Sequence, residues 1–168
     1  MESEGLAMKD NKTNAMRILE GLKIDFDVHT YDVSDGMLDG GTVAQRIGAD
    51  PARVFKTLVT QGKSRAYYVF VIPVLKELNL KAAAASVGEK SVEMIPQKEL
   101  LKTTGYIHGG CSPVGMKKQF KTVIDVSALE QERICVSAGR IGFQVDLDPR
   151  ELIRAVGADT AEIATGHV

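Results

Sequence analysis

Lys56 interrupts an otherwise apolar, strand-like run, Val54-Phe-Lys-Thr-Leu-Val59, and is the first residue of this chain placed to do chemistry. Two-residue alternation puts Lys56 on one face with Val54 and Leu58, and Phe55, Thr57 and Val59 on the other. An ammonium on an apolar face is costly unless it reaches water or an anion. Lys56 therefore either snorkels out from a sheet edge, which would discourage edge pairing, or points into a pocket that takes a phosphate or carboxylate. The second such place is Gly109-Gly-Cys-Ser-Pro-Val-Gly115. Gly109 and Gly110 leave their N–H groups unshielded and permit positive φ, which suits a cradle for a carbonyl or phosphate oxygen, while Pro113 stiffens the next turn. The loop lacks the GK[ST] ending of a phosphate-binding loop, and a tight connection between two elements is the plainer alternative.

Cys111, with His108 three residues before it, invites a nucleophile reading, but adjacency fixes no hydrogen-bond geometry and a small buried residue is the simpler account. Asp146 and Asp148 form a candidate carboxylate pair, although Asp148 before Pro149 reads more simply as a helix N-cap. The cysteines, Cys111 and Cys135, belong to no CxxC pair, and His29, His108 and His167 are scattered, so neither a structural zinc site nor another metal is expected. No serine triad or dinucleotide fingerprint is present, and no cofactor is implied. The lack of tryptophan and the 5% aromatic content disfavour a base-stacking RNA platform.

These residues need elements to hold them. Length and composition, 168 residues with 44% hydrophobic and 26% charged, fit one globular domain, placed at 12–165 behind a tail at 1–11. No apolar run reaches the roughly 18 to 20 residues of a membrane span, and the N-terminus lacks the features of a secretory signal, so a soluble cytoplasmic protein is expected. Helical spacing predicts a helix from Thr13 or Asn14 to about Gly21, and Thr42-Val-Ala-Gln45 has the form of a capping box before a short helix stopped by Gly48. Asp25 to Tyr31 reads as a short strand, and Val54 to Thr60 and Arg65 to Pro73 as a hairpin. An alanine-rich helix over 81–87, a strand over 91–94 and a helix over 96–102 precede the glycine loop. Strands over 122–126, 133–137 and 141–147 and a helix from Pro149 to about Val156 follow it. Local strand pairing without regular βαβ alternation predicts an α+β fold with a mixed sheet. Charge is uneven: Arg53 to Lys121 carries a surplus of +8 within a chain of net −1, which favours an anionic partner near that segment.

Taken together, VFKTLV at 54–59, Gly105-Tyr106 followed by GGCSPVG at 109–115, Lys117-Lys118, and Ser137-Ala-Gly139 before Gly142-Phe-Gln-Val145 resemble the YbaK/EbsC family, in order over about residues 11–165. The resemblance implies a mixed, partly barrel-like sheet with flanking helices, related to the editing domain of some prolyl-tRNA synthetases. It implies a trans-editing hydrolase that deacylates mischarged tRNA, Cys-tRNA(Pro) and Cys-tRNA(Cys) above all, through attack of the substrate's own cysteine thiol on its ester. Lys56, Gly109 and Gly110 then match catalytic positions, and Tyr31, Thr57, Ser112, Pro113, Ser137 and Gln144 match substrate-binding ones. Mischarged tRNA and prolyl-tRNA synthetase are the implied partners, with no membrane. Gln144 stands where the YbaK branch often has aspartate and Ile141 where it often has arginine. That departure keeps open an Ala- or Ser-tRNA deacylase using water, beside a non-catalytic tRNA- or synthetase-binding module.

Overall fold

The computed structural model describes residues 12–166; the expected tail at 1–11 and His167 lie outside them. Helix α1 (Asn14–Gly21) starts where Thr13 Oγ1 accepts from Met16 N–H at 3.2 Å. The same hydroxyl donates to Ala138 O at 2.6 Å, which ties the helix start to the far end of the chain. Three antiparallel strands, β1 (Phe26–Thr30), β7 (Ile134–Ser137) and β8 (Phe143–Leu147), form one sheet in the order β1-β8-β7. A five-stranded sheet has the order β5-β2-β3-β6-β9, from β2 (Phe55–Gly62), β3 (Tyr67–Pro73), β5 (Val92–Met94), β6 (Lys121–Asp125) and β9 (Asp159–Ala161). Strand β2 runs antiparallel to β3 and β5, whereas β3–β6 and β6–β9 are parallel, so the sheet is mixed as expected. A two-residue pair, β4 (Glu77–Leu78) with β10 (Ala164–Thr165), completes the strands.

The five-stranded sheet is apolar on both faces. On one, Phe55, Val59, Val69, Val71 and Ile124 share the main core with Val136, Val145 and Leu147 of the three-stranded sheet, with Leu19 of α1, and with Leu152 and Val156 of helix α5 (Pro149–Val156). A fully buried Leu or Val of this kind contributes about 1.5 to 3 kcal/mol relative to an exposed one. On the other face Phe70, Ile72 and Val123 pack with Ala83 and Ala84 of helix α3 (Leu80–Ser86). A single parallel bridge, Val54 to Cys135, joins the two sheets at the start of β2, and among the described residues they do not close into a barrel.

Two expectations change. Pairing is not only local, because β1 pairs with β8, more than a hundred residues later, in the register Val28 to Val145. Helix α2 (Gly40–Ile47) is capped by Asp39, whose carboxylate accepts from Thr42 N–H at 3.0 Å, rather than by Thr42. The charged side chain at 39 reaches the free N–H groups of the first turn three residues before the expected box would.

Candidate active site

Where the two sheets meet lies a cleft of about 740 Å³. Its lining brings together Tyr31 after β1, Lys56 and Thr57 of β2, Gly109 and Cys111 of the glycine loop, Ser137 of β7 and Gln144 of β8. Leu100 of helix α4 (Leu100–Thr104), His108 and the turn carrying Lys76 and Glu77 complete much of the wall. Strand β2 is available there because β5 pairs only with Thr60 to Gly62, leaving the first half of the strand uncovered on that side.

Lys56 sits opposite Ile72 on β3, on the apolar face that its spacing predicts. Burial pushes its ammonium below the ordinary lysine value, and only the nearby Glu77 carboxylate works the other way. Lys56 lines the cleft and is paired within the sheet, so it does not stand on a bare sheet edge. Of the other lining residues, Thr57 and Gln144 have buried oxygens, Oγ1 and Oε1, with no hydrogen-bond partner among the described residues. Native interiors rarely leave such groups unpaired, so both oxygens stand ready for a donor brought by a ligand.

The glycine loop is only partly what its sequence suggests. Gly109 takes φ +86 and lines the cleft, and an added Cβ would stand 3.0 Å from Leu38 Cδ1. Gly110 does not line it; its N–H donates to Ile107 O at 3.0 Å, and an added Cβ would meet Ile141 N at 3.0 Å. The N–H groups of Gly109 and Cys111 are given to no backbone carbonyl among the described residues. Ser112 and Pro113 are buried behind the cleft rather than in its wall, with Ser112 Oγ accepting from Val114 N–H at 3.1 Å. Their small side chains pack the loop, so neither touches the space a substrate would fill. Ser137 does line the cleft, and its hydroxyl also accepts from Gly139 N–H at 3.2 Å. Burial pushes the Cys111 thiol up to about 12, so it is a thiol and not a thiolate at neutral pH.

Behind Gln144, on the same face of β8, Asp146 collects three groups. His29 Nε2 lies 2.8 Å from its Oδ2, and the Arg53 guanidinium donates to both carboxylate oxygens at 3.2 Å. Burial raises the Asp146 pKa, but the Arg53 and His29 bonds outweigh it and leave the carboxyl below its ordinary value. His29, Asp146 and the Cys135 thiol lie within 4.8 Å of one another and include metal-ligand types. Arg53 already supplies the positive charge that a cation would bring to that carboxylate. Asp146 is thus one arm of an ion-pair network, while Asp148 is the cap of α5, accepting from Arg150 N–H. Leu38, Leu100 and Glu77 were not legible as lining residues, since each stands alone on a loop or short element with no pattern around it.

A sequence profile for the aminoacyl-tRNA editing domain matches residues 39–155. The chain belongs to the aminoacyl-tRNA editing domain family. It is 44% identical over 154 residues to EbsC of Enterococcus faecalis, named as a proposed Cys-tRNA(Pro)/Cys-tRNA(Cys) deacylase, covering 92% of this chain and 94% of that one. It is 31% identical over 74 residues to a proline–tRNA ligase of Thermosipho melanesiensis, covering 44% of this chain and 13% of the ligase. Among solved structures, one described as a proposed trans-editing enzyme for prolyl-tRNA synthetase superposes with a TM-score of 0.78 at 23% identity, covering 92% of this chain and 99% of that one. The structural likeness confirms the α+β editing-domain fold expected from the motifs. No helix among the described residues is long and apolar enough to cross a membrane.

Proposed function

We propose that the chain is a trans-editing aminoacyl-tRNA deacylase that removes cysteine esterified to tRNA(Pro) and tRNA(Cys). The observation that carries this reading is one cleft lined by a partly buried lysine, Lys56, and by two residues with unpartnered buried oxygens, Thr57 Oγ1 and Gln144 Oε1. That set complements an aminoacyl ester at the end of a nucleic acid: an anion for Lys56, and an α-ammonium to donate to the two oxygens. Tyr31 and Ser137 complete the polar lining around the ester. Membership of the editing-domain family and the resemblance to EbsC support the same substrate class.

The reacting sulfur in this reading is the substrate's. Its thiol attacks the ester carbonyl carbon, a C–S bond forms, the C–O bond to the ribose breaks, and the thiol proton ends on the departing ribose oxygen; the products are a thiolactone and free tRNA. The step is intramolecular within the substrate, and holding thiol and carbonyl at about 3 to 3.5 Å in line for attack can remove several kcal/mol of barrier without a protein base. The N–H groups of Gly109 and Cys111, rather than that of Gly110, are the donors left for the developing oxyanion. Cys111 takes no part as a nucleophile, because a thiol with a pKa of about 12 is almost wholly protonated at neutral pH.

Deacylation of Cys-tRNA(Pro) and Ser-tRNA by wild type and by Cys111→Ser in one assay tests the reading. Cysteine is expected to be removed much faster than serine, and the variant to retain most activity. Loss of activity in a folded Cys111→Ser would overturn the substrate-thiol step. Equal removal of cysteine and serine would point to water as nucleophile and to a pocket in which the neutral Gln144 amide sets a different specificity.

A further inference from the structure

Much of the +8 surplus of the central segment gathers beside the cleft. Lys98 and Lys102 flank Leu100, which lines it; Lys117 and Lys118 follow the glycine loop, whose Gly109 and Cys111 also line it. The two stretches are packed together, because Lys117 N–H donates to Thr104 O at 2.9 Å and Lys117 Nζ donates to Lys102 O at 3.4 Å. All four lysines are exposed, and Glu99 is the one acid between them, in a 3.5 Å i,i+3 pair with Lys102. Such an exposed pair is weak and leaves the strip strongly positive. By contrast, the β1–α2 connection carries Asp32, Asp35 and Asp39, of which Asp39 lines the cleft and Asp35 is bound by Arg46. A polyanion entering the cleft is thus attracted along one stretch of rim and repelled along another.

We infer that the Lys98–Lys102–Lys117–Lys118 strip is the face that grips the phosphate backbone of the tRNA acceptor stem, so that the RNA leaves the cleft over α4 and not over the β1–α2 connection. The inference rests on the deacylase reading for the identity of the RNA, and on the charge distribution for its path. Lysines on flexible stems suit backbone phosphates, which fix position and carry no sequence information. Leu100, between Lys98 and Lys102, lines the same cleft as Lys56, so the aminoacylated end and the stem would both meet positive charge.

The test compares the triple variant Lys98→Ala/Lys102→Ala/Lys118→Ala with Lys63→Ala/Lys90→Ala, which removes exposed charge from connections outside the strip. Lys117 is left in place because its stem packs over Gly105. Uncharged tRNA is titrated by fluorescence anisotropy at several salt concentrations, and hydrolysis is measured on Cys-tRNA(Pro) and on a cysteinyl ester of adenosine, which has no stem. For the triple variant, tRNA affinity at low salt should fall about tenfold or more and the log–log salt slope by about 2 to 3, near 0.9 per lost phosphate contact. Its rate on the adenosine ester should be unchanged, and the control should stay within about twofold throughout. Wild-type-like tRNA affinity in the triple variant would overturn the proposal, as would an equal loss in the control or a loss on the adenosine ester. If wild type cleaves neither ester while tRNA affinity still follows the strip, the deacylase reading fails and the RNA face stands.

Discussion

Lys56 is held where it weakens the fold. Burial disfavours its charge, so the folded chain sheds this proton more readily than the unfolded one. Between the lowered folded value and the ordinary value of 10.5 the unfolded chain binds the extra proton, and stability from this group therefore rises with pH across that window. Lys56→Met, which fills the site without charge, should melt at or above the wild-type temperature at neutral pH, lack that alkaline gain and lose deacylation. Scanning calorimetry at two pH values with a parallel activity assay checks this, and an active Lys56→Met would remove the lysine from the site. Thr57 Oγ1 and Gln144 Oε1 make the same kind of argument, since neither gives up a native bond when removed. Gln144→Leu should stabilise the protein by about 1 kcal/mol while raising KM, and urea unfolding beside steady-state kinetics would show whether both occur. Lys56 was legible because a charge broke an apolar alternation. Arg53, His29 and Asp146 were not legible as a group, because their contact depends on a pairing far apart in sequence.

The glycine loop separates what an element's sequence reveals from what it hides. Consecutive glycines mark a place where backbone must turn sharply or approach something closely, and both happen, but at different residues. Gly109 needs its positive φ and meets the end of a movable leucine, whereas Gly110 meets backbone that cannot step aside. Gly110→Ala should accordingly cost more stability than Gly109→Ala, for which the left-handed backbone costs about 1 to 2 kcal/mol. Gly109→Ala should lower turnover more than its stability loss explains. Thermal melts and kcat on both variants decide it; proportional losses would make the loop purely structural. Helix starts were readable to within a few residues from Thr13 and Asp148, each of which accepts a backbone N–H as a cap, whereas the cap of α3, Asn79, stands outside the alanine run that marked that helix. Strands β4, β9 and β10 were not readable, because two or three residues are too few for alternation to register and their partners supply the reason they are extended.

At the scale of the molecule, the fold closes by pairing β1 with β8, and Asp146 lies at that seam. Its carboxylate joins β1 through His29, the turn before β2 through Arg53, and β8 through its own backbone, whose carbonyl accepts from Arg133 at 3.1 Å. The network thus fastens both sheets behind the Gln144 wall of the cleft. Removing one member of a part-buried ion pair leaves the others with fewer partners but still in reach of water, so Asp146→Ala should cost about 1 to 3 kcal/mol by urea unfolding. His29, partly exposed, should cost less when replaced by alanine. The Asp146 carboxyl is held below its ordinary 3.8, so its contribution is fully present above that value and is lost as pH falls through the lower folded value. Wild-type stability should therefore drop on acidification more steeply than that of Asp146→Asn, which keeps the shape but cannot titrate. Because β8 also carries Gln144, Asp146→Asn should raise KM for the aminoacyl ester even where the protein remains fully folded. Parallel acid-stability curves with unchanged KM would reduce Asp146 to a surface-like charge and uncouple the cleft wall from the β1–β8 seam.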